Sequence, residues 1–245
     1  MISAGIDLAA EPKGTALAIL EFENNKAKLV FLEQGLDDHV LIDQTINADK
    51  IGIDCAFGWP IEFAKFIAKH QDPKDKDLID GGMEFRRNLS HRQTDYQIKE
   101  LTGRWPLSVS TDRLGLTAMR CAGLLSRYQQ AGVAIDRSGS GKLAEVYPGA
   151  TLRNWDFETT NYRVNNDVRA RLLKDIKAQA PWLDTSSFET QMVESSDSFD
   201  AVIAALAARA VYLGGYTKPT KDQQEAAEIE GWICLPARAL GELTP

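Results

Sequence analysis

Apolar residues come in short runs over the first third of the chain. Residues 2–9, 15–22 and 27–33 are dominated by Ile, Leu, Ala, Val and Phe, and Glu11-Pro12-Lys13-Gly14 and Glu23-Asn24-Asn25 separate them. Runs of this length, closed by turn residues, predict three strands joined as antiparallel hairpins. Residues 36–48 follow a helical pattern and residues 50–56 form a fourth apolar run. Pro60 stands where a helix of about ten residues would begin, because proline suits a first turn.

The pattern then changes. Residues 70–112 are polar and irregular, which predicts a long excursion of the kind that carries function. Helical spacing returns with Leu114, Ala118, Cys121, Leu125 and Tyr128, followed by Gly139-Ser140-Gly141 and an apolar strand from Leu143 to Tyr147. Residues 167–180 place Val168, Leu172, Ile176 and Ala180 on one helical face. Residues 197–213 are apolar on all sides after Asp200 except at Arg209, which predicts a buried helix. Ser196 is its expected cap and Gly214-Gly215 its stop. A short helix and strand, Glu230 to Pro236, follow.

Three strands, a helix and a fourth strand are the opening of a ribonuclease H-like α/β fold. A helical crossover makes the fourth strand parallel to the first. The expected architecture is therefore one domain over residues 1–245, with the excursion at about 70–112. Its mixed five-stranded sheet would run in the order 3-2-1-4-5, flanked by helices.

Candidate chemistry lies at the strand ends. Gly5-Ile6-Asp7 and Gly52-Ile53-Asp54 read alike, each ending an apolar run on an aspartate. Pairing of strands 1 and 4 would set the two carboxylates about 4.8 Å apart along the sheet. Glu145, inside the later strand, and Asp200, facing the sheet from the buried helix, are expected to join them, with Asp197 one helical turn away. Such a cluster of hard oxygen ligands suits Mg²⁺ or Mn²⁺, and like charges this close are difficult to explain without a cation. Asp7, Asp54, Glu145 and Asp200 are the expected catalytic residues, and those four with Asp197 the expected metal ligands. Each also has a plainer reading, as a turn, a helix-start charge or an outward strand residue paired with lysine. Arg86, Arg87, Arg92 and His91 crowd one short span, and phosphate is the natural partner of such a group. Gly139-Ser140-Gly141-Lys142 is not a phosphate loop, since Asp136 and Leu143 stand where its first glycine and its hydroxyl residue belong.

Composition narrows the choice. The 28 basic and 35 acidic side chains leave a net charge of −7, which argues against non-specific coating of nucleic acid but suits a carboxylate site holding a cation. No run reaches the roughly 18 apolar residues of a membrane span. Three isolated cysteines, and a start at Met1 with neither a basic nor a cleavable segment, predict a cytoplasmic protein with reduced thiols.

A series of short motifs runs through the chain in order. They are Gly5-Ile6-Asp7-Leu8-Ala9, Ile51-Gly52-Ile53-Asp54, Gly58-Trp59-Pro60, Arg92-Gln93-Thr94-Asp95, Glu145-Val146-Tyr147-Pro148, Asp200-Ala201 and Glu230-Gly231-Trp232-Ile233. Together they resemble the family catalogued as domain of unknown function 429, described as predicted nucleases of the ribonuclease H-like superfamily. The resemblance implies that Asp7, Asp54, Glu145 and Asp200 match the acidic positions and that Arg92 and Thr94 match a further motif. Cys55-Ala56 departs from the Ala-Pro expected after the second aspartate. The expected function is divalent-metal-dependent hydrolysis of a nucleic-acid phosphodiester, with Arg86, Arg87, Arg92 and Thr94 binding substrate. A non-catalytic binding protein of this fold would show incomplete metal ligation. A nucleotide-binding protein of the actin and sugar-kinase type would need a second copy of the sheet and a glycine-rich turn after Asp7.

Overall fold

The structure, a computed structural model, describes residues 1–72, 74 and 80–244. Strands β1 (Ile2–Asp7), β2 (Ala16–Glu23) and β3 (Lys26–Gln34) form an antiparallel meander. Helix α1 (Asp38–Thr45) follows, capped by Asp37, whose carboxylate accepts the backbone N–H groups of His39 and Val40. It crosses over to β4 (Lys50–Asp54), which pairs parallel with β1. Next come α2 (Ile61–His70), α3 (Gly82–Ser90), α4 (Gln93–Thr102) and α5 (Gly115–Gln130). Strand β5 (Leu143–Glu145) then pairs parallel with β4, and α6 (Pro148–Asn154), α7 (Asn166–Gln179), β6 (Leu183–Asp184) and α8 (Glu189–Glu194) follow. Helices α9 (Ser196–Tyr212) and α10 (Gln224–Glu230) complete the order.

The fold is α/β, a mixed six-stranded sheet in the order β5-β4-β1-β2-β3-β6 with helices on both faces. The five expected strands keep their order, and the correction is the sixth: β6 adds a two-residue parallel pairing to the outer edge of β3. Two residues carry no periodicity, so nothing in the pattern announces them. The excursion is also corrected, because its described part holds α3 and α4; residues 73 and 75–79 of it lie outside the described residues. The strand expected to reach Tyr147 stops at Glu145, because Pro148 opens α6.

Helix α9 organises the molecule. Every residue from Ser198 to Val211 is buried, and its cap is Ser195, one residue earlier than expected, which accepts the Ser198 N–H. The helix crosses the sheet over Gly5 and Gly52. A Cβ on Gly5 would lie 2.1 Å from the Ala201 carbonyl oxygen, and one on Gly52 2.6 Å from that of Ala204. Only glycine permits this approach, which brings the first turn of α9 down onto the ends of β1 and β4. One core fills the α9 side of the sheet and another, built on Ile6, Ile51, Ile53 and α5, fills the opposite side. Among the described residues no helix is long and apolar enough to cross a membrane, and Cys55, Cys121 and Cys234 are buried free thiols.

Candidate functional site

The carboxyl ends of β1 and β4 are in register, so Asp7 and Asp54 stand side by side. Asp200, buried just past the first turn of α9, completes the group. Its Oδ1 accepts the Tyr162 hydroxyl at 2.9 Å and its Oδ2 the Arg163 Nη2 at 2.6 Å. The same Arg163 nitrogen reaches Asp54 Oδ2 at 3.5 Å. Asp7 accepts no hydrogen bond from the described residues, so one guanidinium faces three carboxylates.

The electrostatics follow. Burial, reinforced by Asp54 and Asp200, holds the Asp7 carboxyl well above the ordinary carboxylate range. Desolvation pushes Asp54 up to about 7; Arg163 works against it, and Asp200 and Glu145 add to it. Asp200 is raised by burial as well, although Arg163 and the Tyr162 hydroxyl stabilise its anion. Three desolvated acids with one counter-ion remain under-neutralised near neutral pH, and they call for protons or for a further cation.

Glu145 and Asp197 are placed differently. Glu145 extends from β5, where its Oε1 and Oε2 take Arg92 Nη2 and Nη1 at 2.7 and 2.9 Å, and Oε2 also takes the Phe57 N–H at 2.9 Å. Its charge is thus spent on Arg92. Asp197 accepts Gln34 Nε2 at 2.8 Å and adds only longer-range repulsion to Asp7 and Asp200.

The arginine group divides. Arg92, expected to face substrate, is 3 % exposed and donates to Asp95, to Glu145 and to the Glu230 carbonyl. The Glu230 carboxylate accepts the Ile61 and Gln93 N–H groups at 2.8 and 2.9 Å, so the starts of α2 and α4 depend on one side chain. Thr94 is fully buried, and its hydroxyl oxygen accepts the Ile233 N–H at 2.8 Å. Arg86 and Arg87 lie exposed on α3, Arg86 paired with Asp80, and neither lines the cavity beside the carboxylates.

That cavity has a volume of about 440 Å³, and its wall includes Asp7, Asp54, Glu145, Arg92, Arg153 and Arg163. Asp200 lies behind the wall, bonded to two of its residues. Sequence reasoning missed Tyr162, Arg163 and Arg153. They occupy α6 and the polar turn after it, where no periodicity marks them; the one usable signal was that three clustered carboxylates call for a cation.

Three carboxylates offer oxygen donors of the kind Mg²⁺ and Mn²⁺ prefer, and Asp7 has donor capacity unused. In chemistry the set fits such an ion. In the arrangement described, Arg163 holds the place between Asp54 and Asp200, and among the described residues no group of three acidic, His or Cys side chains is arranged to hold a metal.

A family model described as "Protein of unknown function (DUF429)" matches residues 5–225. Comparison with curated proteins and with solved structures returns no match.

Proposed function

The chain belongs to this DUF429 family, whose description carries no activity, and from the site we propose a ribonuclease H-like, divalent-metal-dependent hydrolase of nucleic-acid phosphodiesters. One observation carries the reading: Asp7 and Asp54 end adjacent parallel strands in register while α9 brings Asp200 into the same charge cluster, with one guanidinium against three acids. Ligands of open α/β sheets bind beyond the carboxyl ends of the strands, where this cluster lies. The meander followed by a parallel crossover supports the ribonuclease H-like assignment. The free thiols support a reducing compartment such as the cytoplasm.

Asp7, Asp54 and Asp200 would hold Mg²⁺ or Mn²⁺. When bound, such an ion activates water and stabilises charge on phosphoryl oxygens. The remaining work falls to the chain itself. Tyr162 fixes the Asp200 carboxylate through its hydroxyl and keeps it aimed. Arg163, with 52 % of its side chain exposed on a polar turn, holds Asp54 and Asp200 together and, as part of the cavity wall, would be able to reach a substrate phosphate if a cation balanced those acids. Arg92 fixes Glu145 at the cavity wall and takes up its charge, which keeps Glu145 out of the cluster.

Cleavage of end-labelled single-stranded DNA and RNA tests the proposal. Activity should need Mg²⁺ or Mn²⁺, vanish with chelator, and fall at least a hundredfold in Asp54→Asn and Asp200→Asn. Cleavage that survives chelation or Asp54→Asn refutes it. A second reading, a non-catalytic binding protein, is favoured by one observation: Arg163 already bridges two of the acids. It requires nucleic-acid binding unaltered in Asp54→Asn and no cleavage with either ion.

A further inference from the structure

Four arginines line the cavity, and their charges are not equally spent. Arg92 is consumed by Asp95 and Glu145, and Arg163 by Asp200 and Asp54. Arg104 and Arg153 have no acidic partner among the described residues. Arg104 is exposed to solvent, which satisfies it. Arg153 is a different case. Its Nε and Nη2 are closed to solvent and find no acceptor in the described protein. Those two nitrogens are as closed to a ligand as to water. Among the described residues no acid offsets the charge, and Nη1, which borders the space beside Gly149, is the nitrogen open to an acceptor.

Around Arg153 the protein leaves room for one. Its guanidinium carbon lies 5.5 Å from the centre of the Tyr147 ring, which supports the planar group from one side. Gly149, one turn earlier on α6, contributes bare backbone to the cavity wall. A Cβ there would lie 3.4 Å from the Tyr147 ring, 3.5 Å from Arg153 Nη1 and 3.5 Å from the Tyr162 hydroxyl. A ring carbon, a guanidinium nitrogen and a hydroxyl thus border the bare backbone of Gly149 on the cavity wall, which a side chain would cover. Tyr162 also binds Asp200, so this space adjoins the carboxylate cluster.

We infer that Arg153, Gly149 and Tyr147 form a subsite for a terminal phosphate monoester, borne by the end of a nucleic-acid strand or by a free nucleoside monophosphate. A guanidinium that borders the cavity without an acidic partner among the described residues matches phosphate in charge and in donor chemistry. The cavity, about 440 Å³, is of small-molecule size and takes one nucleotide unit, not a duplex. The placement rests on the proposed hydrolase reading, because the phosphate lies beside the acids that would act on the neighbouring ester. It names a substrate end where that reading names only a phosphodiester.

Calorimetry in chelator keeps the subsite separate from any metal. The probes are adenosine monophosphate, adenosine, and a trithymidylate with either a 5′-phosphate or a 5′-hydroxyl. Each phosphorylated probe that binds should do so at least tenfold more tightly than its unphosphorylated counterpart. Arg153→Gln should remove about tenfold or more of that affinity. Gly149→Ala should remove several-fold with an unchanged or higher melting temperature, since Ala replaces Gly within a helix at ordinary contact distances. Binding of the monophosphate alone identifies a free nucleotide as ligand; binding of the phosphorylated trinucleotide alone identifies a strand end. Absence of phosphate preference, or wild-type affinity in both variants, overturns the subsite. Phosphate preference that Arg153→Gln abolishes, in a protein that cleaves nothing with Mg²⁺ or Mn²⁺, keeps the subsite and refutes the hydrolase. Metal-dependent cleavage without phosphate preference does the reverse.

Discussion

Replacing Arg92 with methionine isolates what the buried ion network contributes. The guanidinium makes five side-chain hydrogen bonds, to Asp95 at 3.0 and 3.3 Å, to Glu145 at 2.7 and 2.9 Å, and to the Glu230 carbonyl at 3.1 Å. The side chains of Arg92, Asp95 and Glu145 are 3 %, 0 % and 2 % exposed, so water cannot substitute for the lost partner. Removing one member of such a buried pair costs about 3–5 kcal/mol, chiefly because the carboxylates left behind are desolvated and unpaired. For a chain of this size that is a fall in melting temperature of about 6–20 °C. The pH dependence supplies a second signature. Desolvation already raises Glu145, and Arg92 is the main influence lowering it. Without Arg92 the folded carboxyl rises further above its unfolded value. The penalty is then absent below the ordinary carboxylate range and grows as pH rises through the folded value. Differential scanning calorimetry from pH 5 to 8 should show the gap from wild type widening with pH, and Arg92→Met/Glu145→Gln should recover part of it. A melting temperature within 2 °C of wild type (about 1 kcal/mol or less), with weakened phosphate binding, would refute the reasoning and return Arg92 to the substrate.

Two further substitutions bear on the site and the scaffold. Asp54→Asn should make the metal-free protein more stable by several degrees at pH 8 and leave it nearly unchanged at pH 4, because Asp54, held at about 7 in the folded state, costs stability progressively as pH rises toward that value. Thermal scans at the two pH values check this; a loss of stability at pH 8 would mean that its contact with Arg163 outweighs the repulsion. Gly5→Ala should destabilise by about 3 kcal/mol or more, since its Cβ would lie 2.1 Å from the α9 backbone; urea unfolding measures it, and a change under 1 kcal/mol would contradict the close crossing of α9 over β1.

The elements that announced themselves were those with strong apolar periodicity. Strands β1 to β4 are bounded by turn residues, and α9 is apolar on every side, so pattern alone found them. Helices α3 and α4 escaped because their buried positions are few or polar: α3 buries no residue, and α4 buries Thr94, Asp95 and Ile98. The start of α4 depends on bonds with the distant Glu145 and Glu230, and α3 rests on α2 through Phe85 and Phe66, contacts that no local window contains. Helix α6 was hidden by Pro148, which ends a strand as readily as it opens a helix. At the site, the repeated Gly-Ile-Asp made Asp7 and Asp54 legible, and the spacing on α9 pointed Asp200 inward. The cations were not legible. An arginine's sequence neighbourhood does not say which carboxylate it reaches, so nothing local turns Arg92 toward Glu145 or marks Arg163 and Arg153 as residues of the cavity.

The central claim is that Asp7, Asp54 and Asp200 form a cation site that Arg163 fills in the absence of metal. Crystals soaked in Mn²⁺ at pH 8, with anomalous data collected at the manganese edge, test it directly. The account requires an anomalous peak in contact with oxygens of Asp7 and Asp54, and an Arg163 side chain withdrawn from the position where it bridges Asp54 and Asp200. An ordered Arg163 still bonded to both aspartates, with no peak among the three acids, would contradict it.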